Sequence, residues 1–105
     1  MYLQKTLHMK ATEGYIVNLG AVGHLDLLAK AECFVQAINS NTDPTPPTEI
    51  KSSPGQSVEA IHLEAGERLT LGQDFAKGYD ERIHDRITHL LVWAVTAGDL
   101  VLVAH

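Results

Sequence analysis

The sequence predicts an all-β fold, a small antiparallel β-sandwich of the jelly-roll type with about seven to nine short strands. The first observation is an apolar segment from Ile87 to Ala104, ITHLLVWAVTAGDLVLVA, in which two strand-length runs flank a glycine turn. The second is LEAGERLTL, residues 63–71, which repeats the same alternation around an Ala-Gly-acid turn. The third is a stretch at 39–57 that contains all four prolines of the chain and is therefore a loop.

The segment from Ile87 to Ala104 is interpreted as a β-hairpin whose turn holds Gly98 in the left-handed conformation. Its first strand is apolar on both faces, where Leu91, Trp93 and Val95 alternate with Leu90, Val92 and Ala94. Because neither face suits water, we expect an interior strand of a two-layer protein.

A helix over residues 79–95 is the competing interpretation of the same region. Ile83, Ile87, Leu90 and Ala94 fall on one helical stripe. The run from Leu90 to Val95 would, however, make the last turns of that helix apolar all round, and the strand interpretation is favoured.

The first part of the chain is predicted to contain further strands. Residues 1–12 form either a first strand or an arm that leaves the domain, and their pattern does not separate the two. Tyr15 to Leu19 is β-branched and aromatic and is followed by Gly20, which indicates a short strand. Residues 24–38 fit two strands, which we favour, or one helix.

A second hairpin is predicted after the proline loop, from Val58 to Leu63 and from Arg68 to Leu71. Its inward side chains are Ile61, Leu63, Leu69 and Leu71. Residues 73–86 are rich in charge and are interpreted as a surface crossover with a short helical turn.

Composition limits the classes of function. The 105 residues form one domain, residues 1–105. Eight basic against thirteen acidic residues give a net charge of −5, and the scattered basic side chains argue against binding to nucleic acid or an anionic membrane. The single cysteine, Cys33, excludes an internal disulfide and is interpreted as a buried free thiol.

Neither a membrane span nor a secretion signal is evident in the sequence. No apolar run approaches the ~20 residues that a transmembrane helix requires. The first ten residues, MYLQKTLHMK, lack the apolar core of a signal peptide. We therefore expect a soluble chain that is made in the cytoplasm.

The proline loop is the predicted contact region for partners. A segment of this composition buries too little apolar surface to offset the entropy of ordering itself, and proline lowers the entropy that is lost on binding. The residues expected to contact partner chains are Asp43, Pro44, Pro46, Pro47, Glu49 and Pro54. Cover of this loop by the crossover at 73–86 is the alternative.

Metal ligation is the first chemistry to weigh. Glu81, His84, Asp85 and His89 are close in sequence, but the two histidines are five residues apart, ~140° around a helix, whereas a zinc-protease helix needs i and i+4. His62 and Glu64 lie two apart, as on the metal-binding strand of cupins, yet the further histidines of that pattern are missing. Both sets are interpreted as solvated side chains.

Other chemistry is equally weakly indicated. No serine occupies a glycine-flanked nucleophile elbow, and no glycine loop is suited to phosphate. Trp93, Phe34 and Phe75 are interpreted as core residues rather than as a ligand platform. We therefore predict no catalytic, cofactor-binding or metal-binding residues and no enzymatic activity.

The order of segments resembles a known family. AECFVQAINSNTDP, a proline-bearing loop, VEAIHLEAGERLTLG and ITHLLVWAVTAGDLVLVAH together are similar to small β-sandwich virion proteins of tailed bacteriophages over the last two-thirds of the chain. The resemblance implies a capsid decoration, cement or head–tail accessory protein that binds other virion proteins, as a homo-oligomer located in the virion, without cofactors. The long crossover at 73–86 departs from the family pattern.

Two interpretations from other classes stay open. One is a cupin-like metal-dependent enzyme, and the other is a carbohydrate-binding β-sandwich. Both would use His62, Glu64 and the histidines at 84 and 89.

Overall fold

The computed structural model describes residues 3–39, 60–72 and 87–105, which form eight β-strands and no helix. The strands are β1 (Leu3–Met9), β2 (Glu13–Val22), β3 (His24–Ala29), β4 (Cys33–Ile38), β5 (Ile61–Leu63), β6 (Arg68–Gly72), β7 (Ile87–Ala94) and β8 (Gly98–Ala104). The prediction of an all-β protein is confirmed. The helical alternatives for 24–38 and, where the chain is described, for 79–95 are wrong, whereas the helical turn predicted within 73–86 lies outside the described residues.

The strands form two four-stranded antiparallel sheets that share one core. Sheet 1 has the order β1-β8-β3-β6, and sheet 2 has the order β2-β7-β4-β5. Along the chain, consecutive strands change sheet at every connection except the one from β4 to β5, which pair with each other in sheet 2. The chain therefore crosses from one layer to the other at each of these connections, which we call corners.

Both predicted hairpins are wrong in their pairing, although their strands are present. β7 and β8 lie in different sheets, and so do β5 and β6. The reason is that the Ala-Gly-acid turns carry the chain across the sandwich, and each new strand then pairs with a strand that is distant in sequence. The alternation of apolar and polar residues indicates which side chains share a face of the sheet. It does not indicate which other strand pairs with the segment.

The Ala-Gly-acid corners pack against the corner between β3 and β4. The backbone N–H groups of Val95 and Thr96 donate to the carbonyl of Glu32, at 3.0 and 3.3 Å, and Lys30 N–H donates to the carbonyl of Asp99 at 2.8 Å. On the other side, Gly66 N–H donates to the carbonyl of Ala29 at 2.7 Å. Three corners are thus tied together by backbone hydrogen bonds.

Gly98 is required at its corner, but not as the hairpin residue that was predicted. Its φ is +155°, and a Cβ built on it would lie 2.5 Å from the Cβ of Ala31. Because real Cβ atoms do not approach that closely, only glycine allows the two corners to meet. Gly66 also has a positive φ, +94°, but its Cβ position is open.

The core lies between the sheets and is made by every second residue of the central strands. Side chains with no exposed surface include Leu25, Leu100 and Leu102 from sheet 1 and Val35, Leu90 and Val92 from sheet 2. Cys33 is also fully buried, as predicted.

The N-terminal residues form a strand of the sandwich rather than an arm. β1 pairs with β8 along its whole length, from Leu3 opposite Ala104 to Met9 opposite Gly98. β2 is longer than the segment predicted at Tyr15 to Leu19 and continues past an irregularity in its pairing with β7.

Candidate functional site

The outer face of sheet 2 carries apolar side chains at its centre. Trp93 of β7 lies opposite Phe34 of β4, and Leu91 of β7 lies opposite Ile16 of β2. All four side chains are partly exposed. We call these four residues, Ile16, Phe34, Leu91 and Trp93, the outer patch.

The prediction that Trp93 and Phe34 fill the core is wrong. Their neighbours Val92, Ala94 and Cys33 face the core and have no exposed surface, so strand alternation turns the two aromatic side chains outward. Gly14, opposite Trp93 on β2, adds no side chain to that row. The signal for the patch was present in the sequence, because β7 is apolar on both faces and only one of them can line the core.

A polar pair borders the patch at the β5 edge of sheet 2. His62 of β5 lies opposite Phe34, with 4.8 Å between the ring centroids. His62 Nε2 lies 2.7 Å from Oε2 of Glu32, and both side chains are more than a third exposed. On β4, Gln36 lies opposite Leu91 of β7 and is partly exposed. The patch therefore has a polar rim.

The outer face of sheet 1 has a different character. Its histidines lie beside carboxylates: His8 Nδ1 is 2.8 Å from Oδ1 of Asp99, and His105 Nε2 is 3.6 Å from Oδ2 of Asp26. The ring of His105 stacks on that of His24, with centroids 5.4 Å apart. These side chains are exposed and present polar atoms to solvent. The same face also has three partly exposed aliphatic side chains, Leu28, Val101 and Val103.

The cupin-like interpretation of His62 and Glu64 does not fit their positions. His62 points away from the core, while its neighbour Leu63 is buried, whereas a cupin ligand points into the barrel. Glu64 is exposed, and its backbone N–H donates to Oε1 of the Glu67 carboxylate at 2.7 Å. The two residues therefore do not form a shared interior site.

Of the other four candidate metal ligands, only His89 lies in the part of the chain that the structure describes. The interpretation of His89 as a solvated side chain is wrong, because it lies within β7 and is buried, with 4% of its surface exposed. Its Nδ1 lies 2.8 Å from the hydroxyl of Thr88. Glu81, His84 and Asp85 lie outside the described residues, as does Phe75. In the side-chain conformations of residues 3–39, 60–72 and 87–105, no three His, Cys, Asp or Glu side chains are arranged to hold a metal ion.

The thiol of Cys33 has low reactivity in this environment. Burial, and secondarily the carboxylate of Glu32, raises the pKa of its thiol to about 11. Because the thiolate is the nucleophile, a thiol with this pKa is almost entirely unreactive at neutral pH. The interpretation of Cys33 as a structural residue agrees with this environment.

The predicted partner contacts lie outside the described residues. These are Asp43, Pro44, Pro46, Pro47, Glu49 and Pro54, together with the rest of the proline loop beyond Asn39. Their role stays a prediction.

Comparisons with known proteins give no relative for this chain. No family model, no curated protein and no solved structure matches it. Within the three described ranges, no helix has the length and hydropathy that a membrane crossing needs. The resemblance to phage virion proteins therefore stays a prediction, and the outer patch is the candidate functional site.

Proposed function

We propose that this chain is a non-enzymatic assembly protein that binds another protein through the outer patch of sheet 2. The observation that carries the proposal is the aromatic, uncharged centre of that face, where Trp93 lies opposite Phe34. The outer face of sheet 1 also has partly exposed apolar residues, but they are the aliphatic Leu28, Val101 and Val103, and they share the face with exposed histidines and carboxylates. Protein interfaces have such a composition, with aromatic residues enriched and charge depleted at the centre and a polar rim around it. The Glu32–His62 pair and Gln36 supply that rim.

A jelly roll is the fold that we propose for the two sheets. The strand orders β1-β8-β3-β6 and β2-β7-β4-β5, with a change of sheet at almost every connection, support this proposal. Jelly rolls consist of eight strands in two sheets and are used by viral capsid proteins, lectins and cupins. The fold alone does not select among these functions.

The biological setting that we propose is the particle of a tailed bacteriophage, in which the chain serves as a decoration, cement or head–tail accessory protein. The resemblance in segment order supports this setting, together with the outer patch, which suits contact with a neighbouring subunit. Asp43, Glu49 and the prolines of the 39–57 loop would add a second contact, and the chain would act as a homo-oligomer bound to other virion proteins.

The test has two stages. Particles released by the cells that carry the gene are purified on a density gradient, and mass spectrometry measures the amount of this chain in them. We expect a fixed stoichiometry relative to the major particle protein. If the chain is absent from the particles and stays in the soluble fraction, the virion setting is wrong.

The second stage compares the two outer faces with matched double variants. Phe34→Ser with Trp93→Ser removes the aromatic pair of sheet 2, and Leu28→Ser with Val101→Ser removes an equally adjacent, partly exposed pair of sheet 1. We expect incorporation of the first variant to fall roughly tenfold or more, the effect of losing hot-spot residues, and the second to incorporate normally. Equal incorporation of both would contradict the role of the patch.

The loop contact has its own test. Deletion of residues 44–54 should leave a folded domain that no longer joins its assembly. If the deletion variant still sediments with particles or keeps the oligomer mass of the wild type, the loop is not a contact.

A carbohydrate partner is the competing outcome. If the wild-type chain binds a sugar in a glycan screen and the Phe34→Ser, Trp93→Ser variant does not, the patch is a sugar platform and the protein-binding proposal fails.

A further inference from the structure

The strand β1 lies at an open edge of sheet 1, and nothing in the proposed function uses that edge. In the described part of the chain, β1 pairs with β8 on one side and no strand lies on its other side. We propose that β1 pairs there, antiparallel, with β1 of a second copy of this chain. The two copies of the four-stranded sheet 1 then join into one continuous sheet about a twofold axis.

The hydrogen bonds between β3 and β8 show how the backbone of β8 is oriented. His24 and His105, which directly follows β8, each donate the backbone N–H to the carbonyl of the other, at 2.9 and 3.0 Å. Lys30 N–H likewise donates to the carbonyl of Asp99. Because successive residues of a strand direct their backbone groups to opposite neighbours, the odd-numbered residues of β8 face β3 and the even-numbered ones face β1.

This orientation determines which backbone groups of β1 are at the open edge. Each even-numbered residue of β8 lies opposite an odd-numbered residue of β1, as Leu100 lies opposite Leu7, so the odd-numbered residues of β1 bond to β8. The residues whose N–H and C=O groups point to the open side are therefore Gln4, Thr6 and His8. The next N–H in that row, of Lys10, donates to the hydroxyl of Tyr15 at 2.7 Å.

Of the four edge strands in the described ranges, β1 is the best suited to an added strand. Sheet edges usually carry features that prevent pairing, such as short length, bulges or proline. β5 and β6 have three and five residues, and the pairing of β2 with β7 is irregular between Asn18 and Val22. β1 has seven residues, all in register with β8, and contains neither glycine nor proline.

The sequence of β1 selects one register for the pairing with its copy. With the twofold axis at Thr6, all seven residues of the strand pair, and the outward backbone groups form about six hydrogen bonds. The opposed pairs are then Leu3 with Met9, Gln4 with His8, Lys5 with Leu7 and Thr6 with itself. An axis at Lys5 would place two ammonium groups directly opposite each other, which is destabilising, and an axis at Leu7 would leave part of the strand unpaired.

The side chains on both faces of β1 suit this neighbour. On the core side, Leu3 and Leu7 pack against the core but are only partly buried, and a second copy covers them with its own apolar residues. On the outer face the opposed pairs, Gln4 with His8 and Thr6 with Thr6, can form hydrogen bonds across the strands. Because the same strand supplies both sides, the contact is isologous, as in most homodimers.

Sedimentation velocity of the full chain measures the self-association. An edge contact is smaller than a standard interface, so we expect a monomer–dimer equilibrium with a dissociation constant in the micromolar range, measured from about 1 to 500 μM. Thr6→Pro removes the N–H at the axis and should weaken the dimer roughly tenfold or more. The fold tolerates proline on an edge strand when the N–H points outward. Thr6→Val is the matched control, because it removes the same hydroxyl but keeps the N–H, and it should retain the dimer.

A cysteine crosslink tests the register. At the axis the two copies of residue 6 have Cα atoms about 5.5 Å apart, within the range of a disulfide, whereas the two copies of residue 4 are roughly 13–14 Å apart. In oxidised glutathione, Thr6→Cys should give a disulfide-linked dimer on denaturing electrophoresis and Gln4→Cys should stay monomeric. Cys33 is fully buried and is common to both variants.

These outcomes are separate from the test of the outer patch, which lies on the other sheet. The Phe34→Ser, Trp93→Ser variant keeps β1 intact and should dimerise like the wild type, whatever its incorporation into particles. Far-UV circular dichroism should show Thr6→Pro folded, and if it is not, the crosslinking pair decides. The inference is overturned if the wild type is monomeric throughout, if folded Thr6→Pro dimerises like the wild type, if Thr6→Val or the patch variant loses the dimer, or if Gln4→Cys crosslinks as readily as Thr6→Cys.

Discussion

The outer faces of the two sheets are set by the same alternation of side chains but differ in composition. On both sheets every second side chain points away from the core. Sheet 2 presents the aromatic and aliphatic side chains of Ile16, Phe34, Leu91 and Trp93 there, whereas sheet 1 presents the aliphatic Leu28, Val101 and Val103 together with histidines beside carboxylates. Since a sheet needs only one apolar face to fold, the apolar outer face of sheet 2 is surplus to the core. Folding requirements explain the inward face of β7, and the protein binding that we propose would explain the outward one.

The largest expected effect distinguishes the two faces of β7 itself. Leu90→Ala removes a side chain with no exposed surface and should cost about 2–5 kcal/mol of unfolding free energy. Leu91→Ala, the matched change one residue later on the outer patch, should cost about 1 kcal/mol or less. Urea denaturation measures both. Similar losses for the two variants would mean that Leu91 is covered as fully as the core.

The next effect concerns Gly98, at the corner where β8 begins. In Gly98→Ala the new Cβ would meet that of Ala31 at 2.5 Å, and we expect a loss of about 2–4 kcal/mol from overpacking and backbone strain. Gly72→Ala is the control, because its Cβ position is open, and it should change stability by less than about 1 kcal/mol. Both values come from the same denaturation assay, and a tolerated Gly98→Ala would argue against the packed corners.

A smaller effect concerns Cys33, whose side chain points from β4 into the core, whereas that of the next residue, Phe34, points outward. The pKa of the Cys33 thiol is raised in the folded chain from 9.0 to about 11, so the folded state holds its proton more tightly than the unfolded state. Its contribution to stability is complete below pH 9 and is lost as the pH rises toward 11. The loss is about 2 kcal/mol.

The measurement for Cys33 is the difference in unfolding free energy between the wild type and Cys33→Ala, followed from pH 8 to pH 11. This difference should shrink by that amount across the window, because the variant has no thiol to ionise while all other groups are shared. A difference that stays constant with pH would show that the thiol is solvated.

The strands and their inward residues could be predicted from the sequence, because alternation is a local property. Leu90, Val92 and Ala94 were assigned to one face, and the structure buries all three. The sheets could not be predicted, because β8 pairs with β1 and β3 rather than with the adjacent β7. That choice depends on packing between segments that are far apart along the chain.

The same limit applies to side chains that meet on the outer faces of the sheets. His24 and His105 come together only through the pairing of β3 with β8, so no local spacing could join them. The outer patch could be predicted in part, because the sequence shows that the 90–95 segment is apolar on both faces. Trp93 and Phe34 were assigned to the core because a large apolar side chain is buried more often than it is displayed.

Trp93 is the only tryptophan in the chain, so its fluorescence reports directly on the outer patch. The measurement is acrylamide quenching of the folded wild-type chain, compared with the same chain in denaturant. If the patch is a displayed binding face, the indole should be quenched efficiently in the folded chain and protected once the chain is bound in its assembly. Emission typical of a buried indole, with little quenching of the free folded chain, would contradict the account.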